Sequence, residues 1–125
     1  MKGYEAKITN SSKELTARER IKLKDTTDAL SLDEVTSDGR VIIEPDLWAE
    51  VSVHNNNAKD GQSTDYTKFI VIDKGGTKYA TGSESFWSAF MEMVNEMGDE
   101  EFSIEVYKVD SKNYKGKQFI TCSIV

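Results

Sequence analysis

Chemically versatile residues are scarce in this sequence: among 125 residues there is one cysteine, one histidine and one proline. Because Cys122 stands alone, neither an intramolecular disulfide nor a cysteine metal cluster can form. No window approaches the roughly 20 apolar residues of a membrane helix, and the opening residues 1–4 have no apolar signal core behind them. We therefore expect a single domain spanning residues 1–125, located in the cytoplasm, with no membrane partner.

The usual signatures of an enzyme are also missing. His54 has no nucleophile at a recognisable spacing, and Cys122 lies on a predicted core face, where a thiol behaves as a small hydrophobe. No G-x-x-x-x-G-K-[ST] phosphate loop is present, and the glycines at 75–76 fit a hairpin turn better than a nucleotide cradle. The carboxylates at 33–34 and 99–101 are typical of solvated turns. We therefore predict a non-catalytic protein with no cofactor and no metal site.

The net charge of −6 argues on average against a polyanionic partner, but the charges are unevenly spread. Residues 1–25 carry seven basic and four acidic side chains, and residues 102–125 carry four and two. Residues 26–66 carry two basic side chains against nine acidic ones, and residues 67–101 carry three against seven. The acid therefore lies in the middle of the sequence, and both ends are basic.

Two predicted strands and a helix form the centre of the sequence. Residues 66–73 are rich in β-branched and aromatic side chains, residues 78–81 form a short return strand, and the glycines between them favour a tight turn. Residues 81–84 have the form of a capping box, and apolar side chains follow at helical spacing. We therefore predict a helix over residues 83–97 that Gly98 ends. Its apolar face consists of Phe86, Phe90, Met93, Val94 and Met97.

Further strands are predicted on both sides of this unit. Residues 41–43 form a short strand that Pro45 stops, and residues 47–54 alternate between apolar and polar side chains. Residues 102–106 and 118–125 alternate in the same way. Residues 21–23 are a weaker strand candidate, and residues 55–65 read as a polar surface loop.

The order of these elements predicts an architecture. A long strand, a hairpin, one helix and two final strands is the order of the five-stranded OB barrel. The predicted class is therefore mainly β with one helix (α+β). We expect an OB-type Greek-key barrel over residues 46–125, preceded by an N-terminal extension of extra strands over residues 1–45.

Several aromatic side chains fall on the outward face of these strands when residues are counted with a period of two. Trp48, Tyr107 and Phe119 come from three different strands, and Tyr79 lies beside Lys78 on the short strand. An exposed ring can stack on any base, worth roughly 1–3 kcal/mol per base, and neighbouring lysines neutralise phosphates. The alternative is that these rings pack under the extension or under loops. The candidate phosphate-binding side chains are Lys68, Lys78, Lys108, Lys112, Lys115 and Lys117.

Three stretches of the sequence resemble a known family, the small single-stranded DNA-binding proteins of bacteriophages. The first is Phe-Ile-Val-Ile-Asp-Lys-Gly-Gly-Thr-Lys-Tyr at 69–79, followed by Thr-Gly-Ser-Glu-Ser-Phe-Trp at 81–87. The others are the ending at 111–125 and the block at 21–39. In that family a D-x-x-G-x-x-Y hairpin precedes the single helix, and an S-K-x-x-G-x-x-[FY] loop precedes the last strand. The likeness covers roughly residues 15–125, and the order of the motifs carries it.

The resemblance implies an OB fold and sequence-independent coating of single-stranded DNA during phage or mobile-element replication. It implies the bacterial host cytoplasm as the location if a phage encodes the chain, with replication or recombination proteins as further partners. By motif position, the residues on the DNA side would be Tyr79, Tyr107, Tyr114 and Phe119, together with Lys112, Lys115 and Lys117.

Two other functions stay open on the sequence alone. A protein-interaction module, acting as a replication or recombination accessory factor, would use the nine acidic side chains of residues 26–66 on a basic partner. A small hydrolase or nuclease would need clustered carboxylates and a divalent metal. The sequence does not determine the oligomeric state, so homo-oligomerisation stays open as well.

Overall fold

The computed structural model describes residues 4–55, 65–111 and 116–125. Its strands form a five-stranded sheet in the order β1-β4-β5-β6-β2 and a three-stranded sheet in the order β3-β7-β8. The class is mainly β with a few helices, which confirms the predicted α+β class. The elements are β1 (Tyr4–Ser11), α1 (Ala17–Lys24), β2 (Leu30–Ser31), α2 (Leu32–Val35), β3 (Val41–Ile43), β4 (Pro45–Asn55), β5 (Asp65–Asp73), β6 (Lys78–Thr81), α3 (Glu84–Met97), β7 (Ile104–Asp110) and β8 (Gln118–Ile124).

The central hairpin and helix are confirmed. The turn between β5 and β6 is held by the Asp73 carboxylate, whose Oδ1 accepts hydrogen bonds from the amides of Gly75 at 2.9 Å and Thr77 at 3.0 Å. Gly76 has a φ of 91° there, which a residue without a Cβ adopts freely. Helix α3 begins after Ser83, whose Oγ accepts from the Phe86 amide at 3.2 Å. The cap is therefore Ser83, and the predicted capping box over residues 81–84 is wrong.

The prediction of a single helix is also wrong. Residues 21–23, predicted as a weak strand, lie in α1, because Thr16 and Glu19 form a capping box immediately before them. The Thr16 amide donates to the Glu19 carboxylate at 2.9 Å, and the Glu19 amide donates to Thr16 Oγ1 at 3.2 Å. These bonds satisfy two amides that a helix start leaves without an intrahelical partner. The capping box marks where α1 begins, although the side chains of this helix have almost no amphipathic pattern.

The main core lies between the two sheets and is filled by α3. Phe86 and Phe90 are fully buried, and they lie in one cluster with Phe69 of β5 and with Ile104 and Val106 of β7. Burial of a phenylalanine side chain is worth about 1.5–3 kcal/mol, so this contact between helix and sheets is a main source of stability. The predicted apolar face of the helix is confirmed for these two phenylalanines.

A second core covers the opposite face of the five-stranded sheet. Leu23 of α1 is fully buried there and packs in one cluster with Leu47 and Val51 of β4 and Ile70 of β5. Strand β5 is therefore buried on both faces over residues 69–72, and the second face of β4 is partly buried at Trp48, Glu50 and Ser52. The predicted alternation of residues 47–54 is confirmed, but its two faces are not a core face and a free face.

The closed barrel is not observed in the described residues. The chain bends between β3 and β4, so that β4 pairs with β5 in one sheet while β3 pairs with β7 in the other. Residues 1–45 were predicted as an extension of extra strands. Three strands of that segment are members of the sheets: β1 pairs with β4 and β2 with β6 in the five-stranded sheet, and β3 pairs with β7 in the three-stranded sheet. The predicted loop at 55–65 lies mostly outside the described residues.

Candidate nucleic-acid interface

Trp48 does not face solvent as predicted. Its side chain is only partly exposed, and its ring meets Trp87 edge-on at a centroid distance of 5.6 Å and Phe90 at 6.4 Å. Helix α3 covers the face of β4 that period-two counting turned outward. Trp48 therefore belongs to the aromatic core beneath α3, and its assignment as an exposed stacking platform is wrong.

The predicted pair on β6 is also engaged in the fold. Tyr79 is 8% exposed within the main core, and burial, with a smaller effect from Asp73, raises the pKa of its hydroxyl above the usual range. Lys78 points to the opposite face of the sheet, where its Nζ donates to the backbone carbonyl of Asp25 and lies 3.4 Å from the Asp28 carboxylate. The Lys78 side chain is 11% exposed. Neither residue offers a free ring or amine, so their predicted roles at the interface are wrong.

Tyr107 and Phe119 share the outer face of the three-stranded sheet. Phe119 is 42% exposed, and Tyr107 hydrogen-bonds Ser123 Oγ at 2.6 Å. The guanidinium of Arg40 lies 4.4 Å from the centre of the Tyr107 ring and also pairs with Glu105. These two predicted rings therefore lie together, but on the face of β7 and β8 that points away from Trp48.

The lysines predicted near this sheet are only partly described. Lys108 lies opposite Ile120 in the β7–β8 pairing, on the other face of the sheet from Tyr107. Lys117 is exposed at the start of β8. Lys112, Tyr114 and Lys115 lie outside the described residues.

An open groove lies on the outer face of the five-stranded sheet, between the start of β5 and the segment that follows α1. Two contiguous cavities form it, of about 340 and 250 Å³, and both are lined by Thr26, Tyr66 and Lys68. The Lys24 side chain, at the end of α1, lines the smaller cavity. We name this feature the Tyr66–Lys68 groove. Tyr66 is 44% exposed, so its ring is accessible from solvent.

The groove exists because the cover of the sheet stops there. Strand β6 pairs with residues 69–72 of β5, so the first residues of β5 have a neighbour on the β4 side only. The register puts Tyr66 opposite Val53 and Lys68 opposite Val51, on the face that α1 covers further along. Where Leu23 packs, this face is closed, and beyond Lys24 it opens to solvent.

The side chains that line the groove have a net charge of +1. Lys24 and Lys68 supply two amines, and Asp33 supplies one carboxylate at the far side of the larger cavity. Within the described part of the chain, no ion pair engages either lysine. An aromatic ring flanked by available amines is the arrangement that binds a stacked base and its phosphate.

Sequence reasoning named Lys68 but missed Tyr66, Lys24 and Thr26. A signal for Tyr66 was present, because residues two apart on a strand share a face, and Tyr66 precedes Lys68 by two. Lys24 and Thr26 carried no such signal, since α1 was not predicted and its position against β5 depends on the tertiary fold.

Other chemistry is weakly represented. Burial raises the pKa of the Cys122 thiol to about 12, which makes it a poor nucleophile. His54 is exposed and its Nδ1 lies 2.7 Å from the Asp65 carboxylate. In residues 4–55, 65–111 and 116–125, no group of three or more metal-binding side chains comes together, and none of the helices has the length and apolarity to cross a bilayer.

Comparison with known protein families, curated proteins and solved structures finds no match to this chain.

Proposed function

We propose that this protein binds single-stranded DNA without sequence preference, and that the Tyr66–Lys68 groove is the binding site. The observation that carries the proposal is the half-exposed Tyr66 ring lying in an open groove with Lys24 and Lys68. Every base has a face that can stack on a tyrosine, so such a site tolerates any sequence. The amines attract the backbone in spite of the net charge, because a local field can oppose the average.

The order of the strands supports the proposal. The bent β3–β4 segment pairs with both β5 and β7, the meander β4-β5-β6 precedes α3, and the hairpin β7–β8 follows it. We propose that this is an opened OB barrel, in which β5 and β6 are the second and third strands. OB folds bind oligonucleotides on the face of these two strands, and the Tyr66–Lys68 groove lies on that face of β5.

The resemblance to phage single-stranded DNA-binding proteins supports a biological role. On this reading the protein is a non-catalytic coat for single strands during phage or mobile-element replication, and it acts together with replication or recombination proteins. The site differs from the one that the resemblance implies. Tyr66 replaces the buried Tyr79 as the stacking ring, and the phosphate contacts are Lys24 and Lys68, neither of which the resemblance implies.

The test is binding of fluorescently labelled oligo-dT, measured by anisotropy over a range of salt concentrations. Tyr66→Ala should weaken binding by roughly 1–3 kcal/mol, about 5- to 150-fold, since it removes one stacking platform. Lys68→Ala should lower the slope of log Kobs against log salt by about 0.7, the contribution of one phosphate contact on a single strand. Lys7→Ala is the matched control, because Lys7 is an exposed lysine on β1 that lines neither cavity.

The outcome also decides between two surfaces of the protein. Phe119→Ala removes an exposed ring from the three-stranded sheet and should leave oligo-dT affinity unchanged if the groove is the site. A loss confined to Phe119→Ala would move the interface to that sheet and refute the groove. Absence of binding by the wild type at low salt would refute single-strand binding itself.

A further inference from the structure

A second open cleft lies at the other end of the main core, between the last turns of α3 and the end of β8. Met93 and Met97 of α3 and Ile124 of β8 form its apolar floor, and its volume is about 280 Å³. Ile124 is 51% exposed there. The residues that line the cleft belong to neither cavity of the Tyr66–Lys68 groove. The cleft is therefore independent of the proposed function.

One edge of this cleft is acidic. Glu92 and Glu96 line it, and Asp99 and Glu100 follow within the next turn. Helix α3 contains no lysine or arginine, and in the part of the chain that the structure describes Glu92 and Glu96 make no ion pair. The carboxyl end of a helix dipole is negative, so carboxylates near it are unfavourable. The isolated fold therefore carries an electrostatic cost that a cationic partner would relieve.

The acidic and the methionine side chains of α3 form two parallel rows along the helix. Glu92 and Glu96 are four residues apart on α3, and Met93 and Met97 repeat that spacing one residue further along. Residues four apart lie on the same face of a helix, so one acidic and one apolar row run side by side along α3. A partner helix laid along α3 would present its own rows at the same interval. Methionine adapts its shape to the apolar side chains that it meets.

We propose that this cleft docks a basic amphipathic helix of a partner protein. Its leucine-like side chains would cover Met93, Met97 and Ile124, and its lysines or arginines would pair with Glu92 and Glu96. The cavity of about 280 Å³ lies just below the roughly 300–1,000 Å³ of pockets for small molecules, and an apolar floor of this kind suits the side chains of a helix bound in a groove. Charge complementarity selects the partner, because an acidic or neutral helix would leave the glutamates unpaired.

The probe is a synthetic peptide of about 14 residues with leucines at i, i+3, i+4 and i+7 and lysines on the adjacent row. Two peptides serve as references: one with the same composition and a scrambled order, and one with every lysine replaced by glutamate. The full protein is labelled with ¹³C at its methionine methyl groups and titrated at low and physiological salt. Binding should shift the methyl resonances of Met93 and Met97 and leave that of Met91, which does not line the cleft, in place.

The variant is Glu92→Gln combined with Glu96→Gln, and its matched control is Glu14→Gln combined with Glu34→Gln, which removes two exposed carboxylates elsewhere. The Glu92 and Glu96 double variant should bind the basic peptide at least about fivefold more weakly than the wild type does. The control double variant should bind it with an affinity within about twofold of the wild type. Equal binding of the ordered and scrambled peptides, or equal loss in both double variants, would show unspecific charge attraction and overturn the proposal. So would the absence of any shift at Met93 and Met97 with a saturating concentration of the ordered peptide.

Discussion

Truncation of Phe90 tests whether α3 and its aromatic neighbours hold the two sheets together. Phe90 is fully buried, and its ring lies 5.2 Å from that of Trp87, 5.8 Å from Phe86, 6.3 Å from Phe102 and 6.4 Å from Trp48. Phenylalanine-to-alanine changes in a core cost about 3–5 kcal/mol, because they remove apolar contacts and leave a cavity. Loss of several edge and stacked ring contacts, each worth roughly 0.5–1.5 kcal/mol, favours the upper half of that range.

Urea unfolding followed by tryptophan fluorescence measures the effect. With a slope of about 2 kcal/mol per M, Phe90→Ala should lower the unfolding midpoint by about 2 M. A domain of this size has a total stability of roughly 5–15 kcal/mol, so the variant stays folded only if the wild type lies above the low end of that range. Phe90→Leu removes the same ring contacts but leaves a smaller cavity, so it should cost less than Phe90→Ala and gives a measurable variant in either case.

Phe119→Ala is the matched control, because it is the same chemical change at a ring that is 42% exposed. It should cost less than about 1 kcal/mol, since a partly exposed side chain gains little from folding. Equal midpoint shifts in Phe90→Ala and Phe119→Ala would refute the reasoning, because they would mean that α3 does not seal the core. A shift below about 0.5 M for Phe90→Ala at unchanged slope would do the same.

Three further predictions follow from single residues. At pH 8 the native Cys122 thiol, with its pKa raised by burial from 9.0 to about 12, should react with iodoacetamide on the order of 10³ times more slowly than in urea. Since the pKa of this thiol is higher in the folded state, its burial stabilises the protein below pH 9, and the contribution is lost as pH rises toward 12. The urea midpoint of Cys122→Val should therefore fall less than that of the wild type over this pH range. A labelling rate of the native protein within tenfold of the unfolded rate would contradict the burial. The pKa of Glu19 is held below 4.5, first by the hydrogen bond from the Thr16 amide and then by Lys13. Glu19 therefore contributes stability above pH 4.5 that disappears as pH falls through its folded-state pKa. The urea midpoints of Glu19→Gln and the wild type should differ at pH 7 and converge in acid. Asp33→Asn should tighten oligo-dT binding about two- to fivefold by removing the carboxylate from the groove, whereas Glu34→Gln, beside it on α2 but outside both cavities, should not; equal effects would point to net charge instead of the groove.

The strongest local signals in the sequence predicted their elements correctly. The glycines at 75–76 lie in the observed turn, and the apolar spacing after Ser83 predicts α3 to within one residue at its start. Both signals depend on contacts between residues a few positions apart, so they can be recognised in the sequence without knowledge of the tertiary fold. Helix α1 was missed because its signal is the capping box at Thr16 alone, and its one buried side chain, Leu23, has no periodic partners within the helix.

The candidate site could be predicted only in part, since it depends on which faces of the sheet are covered. Counting with a period of two separates Trp48 from Leu47 correctly, yet it does not say that α3 lies on one side and α1 on the other. When both faces of a strand are buried, an aromatic residue on the more polar face is a core residue. The period-two count placed Trp48 on the solvent side, and Tyr79 was added because it lies beside Lys78; in the structure Tyr79 is part of the main core and Trp48 packs against it.

The length of a strand relative to its neighbours decides where a ring stays available. Strand β5 begins at Asp65, four residues before its pairing with β6 starts at Phe69, and Tyr66 and Lys68 fall in the stretch that pairs with β4 only. A strand that outruns its partner leaves side chains and backbone groups at an uncovered corner of the sheet. Such a corner can accept a ligand without any rearrangement of the core. The proposed binding site therefore lies where β5 extends past β6.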